Sequence, residues 1–145
     1  MGVTISCQKT GRGIDMGYYG LHRLQLKITD LIGGEFSKHY KVLDKPEIQI
    51  MSEPEFQTFC EMYDKKTMDF IQRKVCSIKV IDFLYQSVEE GAIHFGACKQ
   101  LLKVIGDYDD EIIYGYAGQK DAARFKDFKR LLQECVEQKC DMVWI

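Results

Sequence analysis

The first periodicity along the chain has a repeat of two. Val3, Ile5 and Cys7 alternate with Thr4 and Ser6, the pattern of a half-buried strand over 3–8. The turn residues of KTGRG follow, and IDMG reads as a short return strand. From Tyr19 the repeat lengthens. Leu21, Leu24, Ile28, Leu31 and Ile32 recur at three and four, one face of a helix that Gly33 and Gly34 terminate. EFSKHYKVL predicts a shorter helix before a loop over 44–51.

The next boundary is marked by Ser52, Pro54 and Glu55: an N-cap, a first-turn proline and a capping-box carboxylate. Phe56, Phe59, Cys60, Tyr63, Phe70 and Ile71 carry a helical stripe to about Arg73. SIKVIDFLYQS reads as a further helix, with a strand as the competing assignment because Ile78, Val80, Ile81 and Val88 are β-branched. EEG breaks it. IHFGACKQLLKVIGD predicts another helix, with Cys98, Leu101, Leu102 and Ile105 inward. EIIYGYAG, between an acidic loop and a turn, is a short strand candidate.

Asp121 suits the N-cap of the last helix, whose apolar stripe is Phe125, Phe128, Leu132, Cys135 and Val136. CDMVWI then closes the sequence as an apolar strand. An exposed edge of that composition invites aggregation, so it is expected to pair with the N-terminal strand. The expected fold is α+β: a mostly helical single domain over 1–145, with a small sheet formed largely by the N- and C-terminal strands.

Composition narrows the chemistry. Hydrophobic residues make up 46% and charged residues 29%, values of a chain that folds around a core. Twenty basic residues against 22 acidic ones leave a net charge of -2, so no broad positive field favours generic nucleic-acid binding. No run of eighteen apolar residues occurs, and neither a membrane partner nor a secretion signal is expected. Gly2 with Ser6 matches the start of a myristoylation signal, yet GVTIS reads equally as a strand, and a cytoplasmic protein is the simpler expectation.

Six cysteines, Cys7, Cys60, Cys76, Cys98, Cys135 and Cys140, show no zinc-knuckle or redox spacing. Reduced thiols acting as small hydrophobes are expected, with no metal and no cofactor. His94 and Cys98 lie four apart, which allows a thiol–imidazole contact on one helix face, but a boundary histidine above a buried cysteine fits the same spacing. Asp107, Asp109, Asp110 and Glu111 lack the spacing of a calcium loop and read as a solvated, capping loop.

Two junctions combine aromatic and basic residues. One, DMGYYGLHR, offers Tyr18, Tyr19, His22 and Arg23 at the start of the first long helix. The other runs from Tyr114 through Tyr116 and Lys120 to Arg124. Flat rings for a base, cations for a phosphate and a helix entrance are the parts a nucleotide pocket needs. The candidate ligand-binding residues are therefore Tyr18, Tyr19, Arg23, Tyr114, Tyr116, Lys120 and Arg124. The competing interpretation is structural: a capped helix with Arg124 and Asp127 paired on its surface.

The opening GVTISCQKTGRGIDMGYYGLHRL with EFSKHY, and the ending DDEIIYGYAGQKDAARFKDFKRLLQECVEQKCDMVWI, resemble small uncharacterised proteins of phages and prophages of low-GC Gram-positive bacteria. The resemblance covers both ends, somewhat over half the chain, and not residues 44–90. Where that group has YAGR before a Pro-Asp, this chain has YAGQKD, with Gln119 in place of the arginine. The resemblance implies a setting: a non-enzymatic accessory protein in the bacterial host cytoplasm that counters host defence by binding. A small nucleotide signal is one expected partner and a host defence protein the alternative, with a homo-oligomer compatible with either. A small hydrolase built on His94 and Cys98 is the third expectation. For a protein interface the edge strand DMVWI is the candidate, with Trp144 as its anchor or, as preferred, packed internally.

Overall fold

Alternation in the first residues produces the strand it predicts. In the computed structural model, which describes residues 2–110, 112–114 and 123–145, β1 is Gly2–Cys7, with Val3, Ile5 and Cys7 buried. β2, Gly13–Gly17, returns antiparallel to it, pairing Ile5 with Ile14 and Val3 with Met16. The other edge of β1 takes the C-terminal strand, Met142–Trp144, with Cys7 opposite Met142 and Ile5 opposite Trp144. The two ends of the chain thus form the middle of a sheet, and the expected terminal pairing is present.

A further strand, Gly91–Ile93, was not expected from the pattern; it pairs with the outer side of the C-terminal strand. We number it β3 and the C-terminal strand β4, so the antiparallel order is β2-β1-β4-β3. Periodicity missed β3 because tertiary partners hold it. Gln86 clamps Ala92, donating from Nε2 to its carbonyl (2.8 Å) and accepting its N–H at Oε1 (3.1 Å). Gly91 lies under the indole of Trp144, where an added Cβ would come within 2.2 Å of the ring. DMVWI is accordingly an interior strand, which removes it as a docking edge. Trp144 packs inward, edge-on to Phe83, with its Nε1 donating to the Ser87 carbonyl at 2.9 Å.

Among the described residues seven helices complete the α+β fold: α1 Tyr18–Ile32, α2 Gly34–Lys41, α3 Pro46–Gln49, α4 Glu53–Gln72, α5 Ile78–Tyr85, α6 Phe95–Ile105 and α7 Phe125–Gln138. Gly33, at φ 75°, ends α1 and lets α2 start at once. The loop expected over 44–51 contains the single turn α3, preceded by a 3-10 turn at Val42–Asp44. Ser52 caps α4, its hydroxyl accepting from Glu55 N–H and donating to the Glu55 carboxylate. Ser77 caps α5 by accepting from Val80 N–H, which settles residues 78–85 as helix.

α7 lies across the sheet. Phe125, Phe128, Leu132 and Cys135 are fully buried, each large apolar side chain contributing about 2 kcal/mol of burial. α7 opens at Phe125 rather than near Asp121: Arg124 is the N-cap residue, and its N–H donates to the Asp127 carboxylate at 2.9 Å. Asp121 lies outside the described residues. Of the EIIYGYAG strand candidate, Ile113 forms an isolated antiparallel bridge with Arg124, Ile112 and Tyr114 lie in no strand, and Glu111 and 115–118 lie outside the described residues. No described helix is long and apolar enough to cross a membrane.

Candidate functional site

Gly17 ends β2 and becomes the N-cap of α1, so Tyr18 and Tyr19 occupy its first turn. That turn is pressed against the 112–114 segment. A Cβ on Gly20 would lie 1.6 Å from the Tyr114 carbonyl oxygen, so only glycine permits this approach. One turn later the Arg23 guanidinium donates to the Ile113 carbonyl and sits 5.4 Å from the Tyr114 ring centroid. Tyr114 N–H in turn donates to Ala123 O at 2.7 Å, beside Arg124. The two aromatic-basic junctions therefore meet in space.

Their residues play different parts there. Tyr18 is half-buried against the core, whereas Tyr19 is 87% exposed. Arg23 is exposed, with its guanidinium bound to the Ile113 carbonyl. Tyr114 is buried rather than presented to solvent, and its hydroxyl has no hydrogen-bond partner among the described residues. Burial, then the Asp110 and Tyr108 charges, push that phenol up to about 12 despite Arg23. Arg124 is exposed at the head of α7. Tyr116 and Lys120 lie outside the described residues. In the acidic loop Asp110 accepts from Ile112 N–H and from the Tyr108 hydroxyl, bonds within the loop itself rather than at the helix ends it was expected to cap; Glu111 lies outside the described residues.

A different surface was not singled out in the sequence. α4 has 20 residues and is roughly 30 Å long, yet only Tyr63 and Phe70 in it are buried. Its inward stripe runs Phe56, Phe59, Cys60, Tyr63, Thr67, Phe70, at intervals of three and four. α2 and α5 cover the second half of that stripe. His39 stacks on Tyr63 at 3.9 Å, with its Nε2 2.7 Å from Thr67 Oγ1; Phe36 meets Phe70 edge-on at 5.5 Å; and the Tyr63 and Tyr85 hydroxyls are 2.6 Å apart. Burial, then Lys66, lowers His39 to about 4, so the ring is neutral.

Toward its N-terminus the same stripe runs past the body. Phe56 is 45% exposed, and Phe59 and Cys60 are partly exposed. Phe56, Phe59 and Tyr63 form a ladder of rings, with Met62 exposed alongside and Ile50 just ahead of the helix. Glu53, Glu55 and Glu61 give this half an acidic margin. The periodicity announces an apolar stripe, but only the arrangement of α2 and α5 reveals that part of it is uncovered.

The cysteines also come together in a way their spacing conceals. Cys7 ends β1, Cys135 lies in the last turn of α7 and Cys140 in the link to β4, with all three Sγ atoms within 4.8 Å of one another. The Cys7 and Cys140 sulfurs are 3.0 Å apart, the Cys135 thiol donates to the Asp141 carbonyl at 3.9 Å, and Cys98 of α6 also interacts with Cys135. Burial opposes ionisation of Cys7, but hydrogen bonds from Cys140, from the Thr10 hydroxyl and from the Thr10 and Lys9 N–H groups outweigh it and bring the thiol down to about 7. The bond to Cys98, then burial, pushes Cys135 the other way. His94 and Cys98 have separate partners: His94 is the N-cap of α6, its Nδ1 accepting from Gly96 N–H, while Cys98 meets Cys135.

No family model matches the chain, and neither a curated protein nor a solved structure does.

Proposed function

We propose that this is a non-enzymatic binding protein that works through protein–protein contact, presenting the overhanging half of α4 to its partner. The observation that carries this reading is the length of the stripe. The face that packs on α2 and α5 through Tyr63, Thr67 and Phe70 continues through the partly exposed Phe59 to Phe56, which is open to solvent. Anchors at i, i+3 and i+4 on an amphipathic helix are what a hydrophobic groove on another protein receives. The acidic margin of Glu53, Glu55 and Glu61 selects a groove edged by basic side chains. The resemblance of the chain ends to phage proteins supplies the setting, in which the partner is a host defence protein held in a blocked state.

Comparing the full chain with a Phe56→Asp/Met62→Asp variant tests this reading. A stoichiometric host protein retained by the first and lost by the second, at equal thermal stability, supports it. A partner held equally by both overturns the assignment to α4. Self-association abolished by the variant would replace the host protein with a second copy of this chain.

A second reading rests on the Tyr114 hydroxyl, buried with no hydrogen-bond partner among the described residues, in a ring that faces Arg23, with Tyr19 open to solvent at the start of the same helix as Arg23. Here the ligand is a small nucleotide signal, its base stacked on Tyr19 and its phosphates met by the arginines. Calorimetry against cyclic di- and trinucleotides and cyclic ADP-ribose isomers tests it; flat heats across the panel at high protein concentration reject it.

A further inference from the structure

We propose that Cys7, Cys135 and Cys140 form a three-thiolate site for one soft divalent cation, with zinc the first candidate. The ligands come from three elements, the end of β1, the last turn of α7 and the link into β4, so the site exists only in the folded chain. Tetrahedral zinc with sulfur at about 2.3 Å spaces its ligands about 3.8 Å apart. Here every sulfur pair lies within 4.8 Å and the Cys7–Cys140 pair is at 3.0 Å, so adjustments of roughly 1 Å bring the trio onto an ion. Three converging thiols are one more than a disulfide needs, and soft sulfur ligands favour zinc over magnesium or calcium.

The surroundings suit thiolates. The β1–β2 turn, closed by the Gly11 N–H to Cys7 carbonyl bond at 2.8 Å, directs the N–H groups of Lys9 and Thr10 at the Cys7 sulfur, and Lys9 N–H also reaches Cys140. Amide donors of this kind form the outer shell that orients sulfur ligands and spreads their charge. Cys7 and Cys135 are fully buried, whereas Cys140 is partly exposed and gives an ion its way in. Cys98, bonded to Cys135, is the nearest further thiol. Binding releases up to three thiol protons to solvent and ties both chain ends to α7, so affinity for the metal adds to folding stability.

The test uses the reduced full chain under anaerobic conditions. Cobalt titration should give a thiolate-to-metal charge-transfer band that saturates at one ion per chain, and zinc should displace it and raise the Tm. Cys140→Ser, at the exposed ligand, should weaken zinc at least about tenfold against a chromophoric chelator, as loss of a supporting residue alone already does. Cys60→Ser, remote from the trio, should leave affinity unchanged. Absence of the charge-transfer band, or a band and a zinc affinity that survive both Cys7→Ser and Cys140→Ser, overturns the site. Isolation of the chain with a Cys7–Cys140 disulfide and no affinity for zinc after reduction also overturns it, in favour of a redox pair.

Discussion

The Arg23 guanidinium donates to the Ile113 carbonyl while lying 5.4 Å from the Tyr114 ring centroid. This contact bridges 90 residues and locks the first turns of α1 onto the segment that leads toward α7. It makes the conspicuous arginine of the first junction a fastener of the second. Arg23→Ala should therefore lower stability by about 1–2 kcal/mol through the lost charged hydrogen bond and ring contact. Arg23→Lys should recover only part of this, because an ammonium does not reproduce the planar stacked fork. Urea denaturation of the two variants against the parent checks both expectations.

Gly20 is the tighter constraint at the same place. A methyl group there would overlap the Tyr114 carbonyl, so Gly20→Ala should destabilise by about 2 kcal/mol or more, despite alanine's better helix propensity. A thermal melt at or above the parent's would show that the 112–114 segment yields instead.

Overhang and core should separate by mutation along one helix. Phe56→Ala should change stability by less than about 0.5 kcal/mol, while Phe70→Ala should cost about 3–4 kcal/mol. Chemical denaturation measures both; a large loss at Phe56 would mean that the outer half of α4 is covered after all.

His39 sets a pH dependence. Its folded pKa of about 4 lies below the ordinary value of 6.5, since burial, then Lys66, disfavours the charged ring. The unfolded chain consequently binds the proton first as pH falls. The stabilisation is complete above about 6.5 and is lost progressively down to about 4, at most about 3 kcal/mol in all. His39→Gln should flatten the stability profile across that window, and an unchanged slope would assign it to other groups.

The elements built on a repeat were legible. Val3, Ile5 and Cys7 announce β1, the stripe from Leu21 to Ile32 announces α1, and Ser52 with Glu55 caps α4, because each rests on neighbours within a few residues. Pairing of β1 with β4 followed from an apolar C-terminal strand that needed cover. β3 was not legible, because Gln86 and Trp144 hold it from outside its own segment. Composition picked out both aromatic-basic junctions but not how their side chains are placed: Tyr114 is interior, since a tyrosine next to a turn has the same sequence whether its ring faces solvent or Phe125.

By itself the sequence determined the secondary-structure periods, the Ser52 cap of α4 and the α+β class, all of which arise from interactions between residues close in the chain. Tertiary structure alone decided which apolar residues are covered and which polar ones meet. Phe56 and Phe70 share one stripe, yet only Phe70 finds Phe36 across from it. Cys7 and Cys140 are 133 residues apart, yet their sulfurs come within 3.0 Å because both ends of the chain enter one sheet. Contacts of that kind depend on how whole elements are placed, and no local spacing records them.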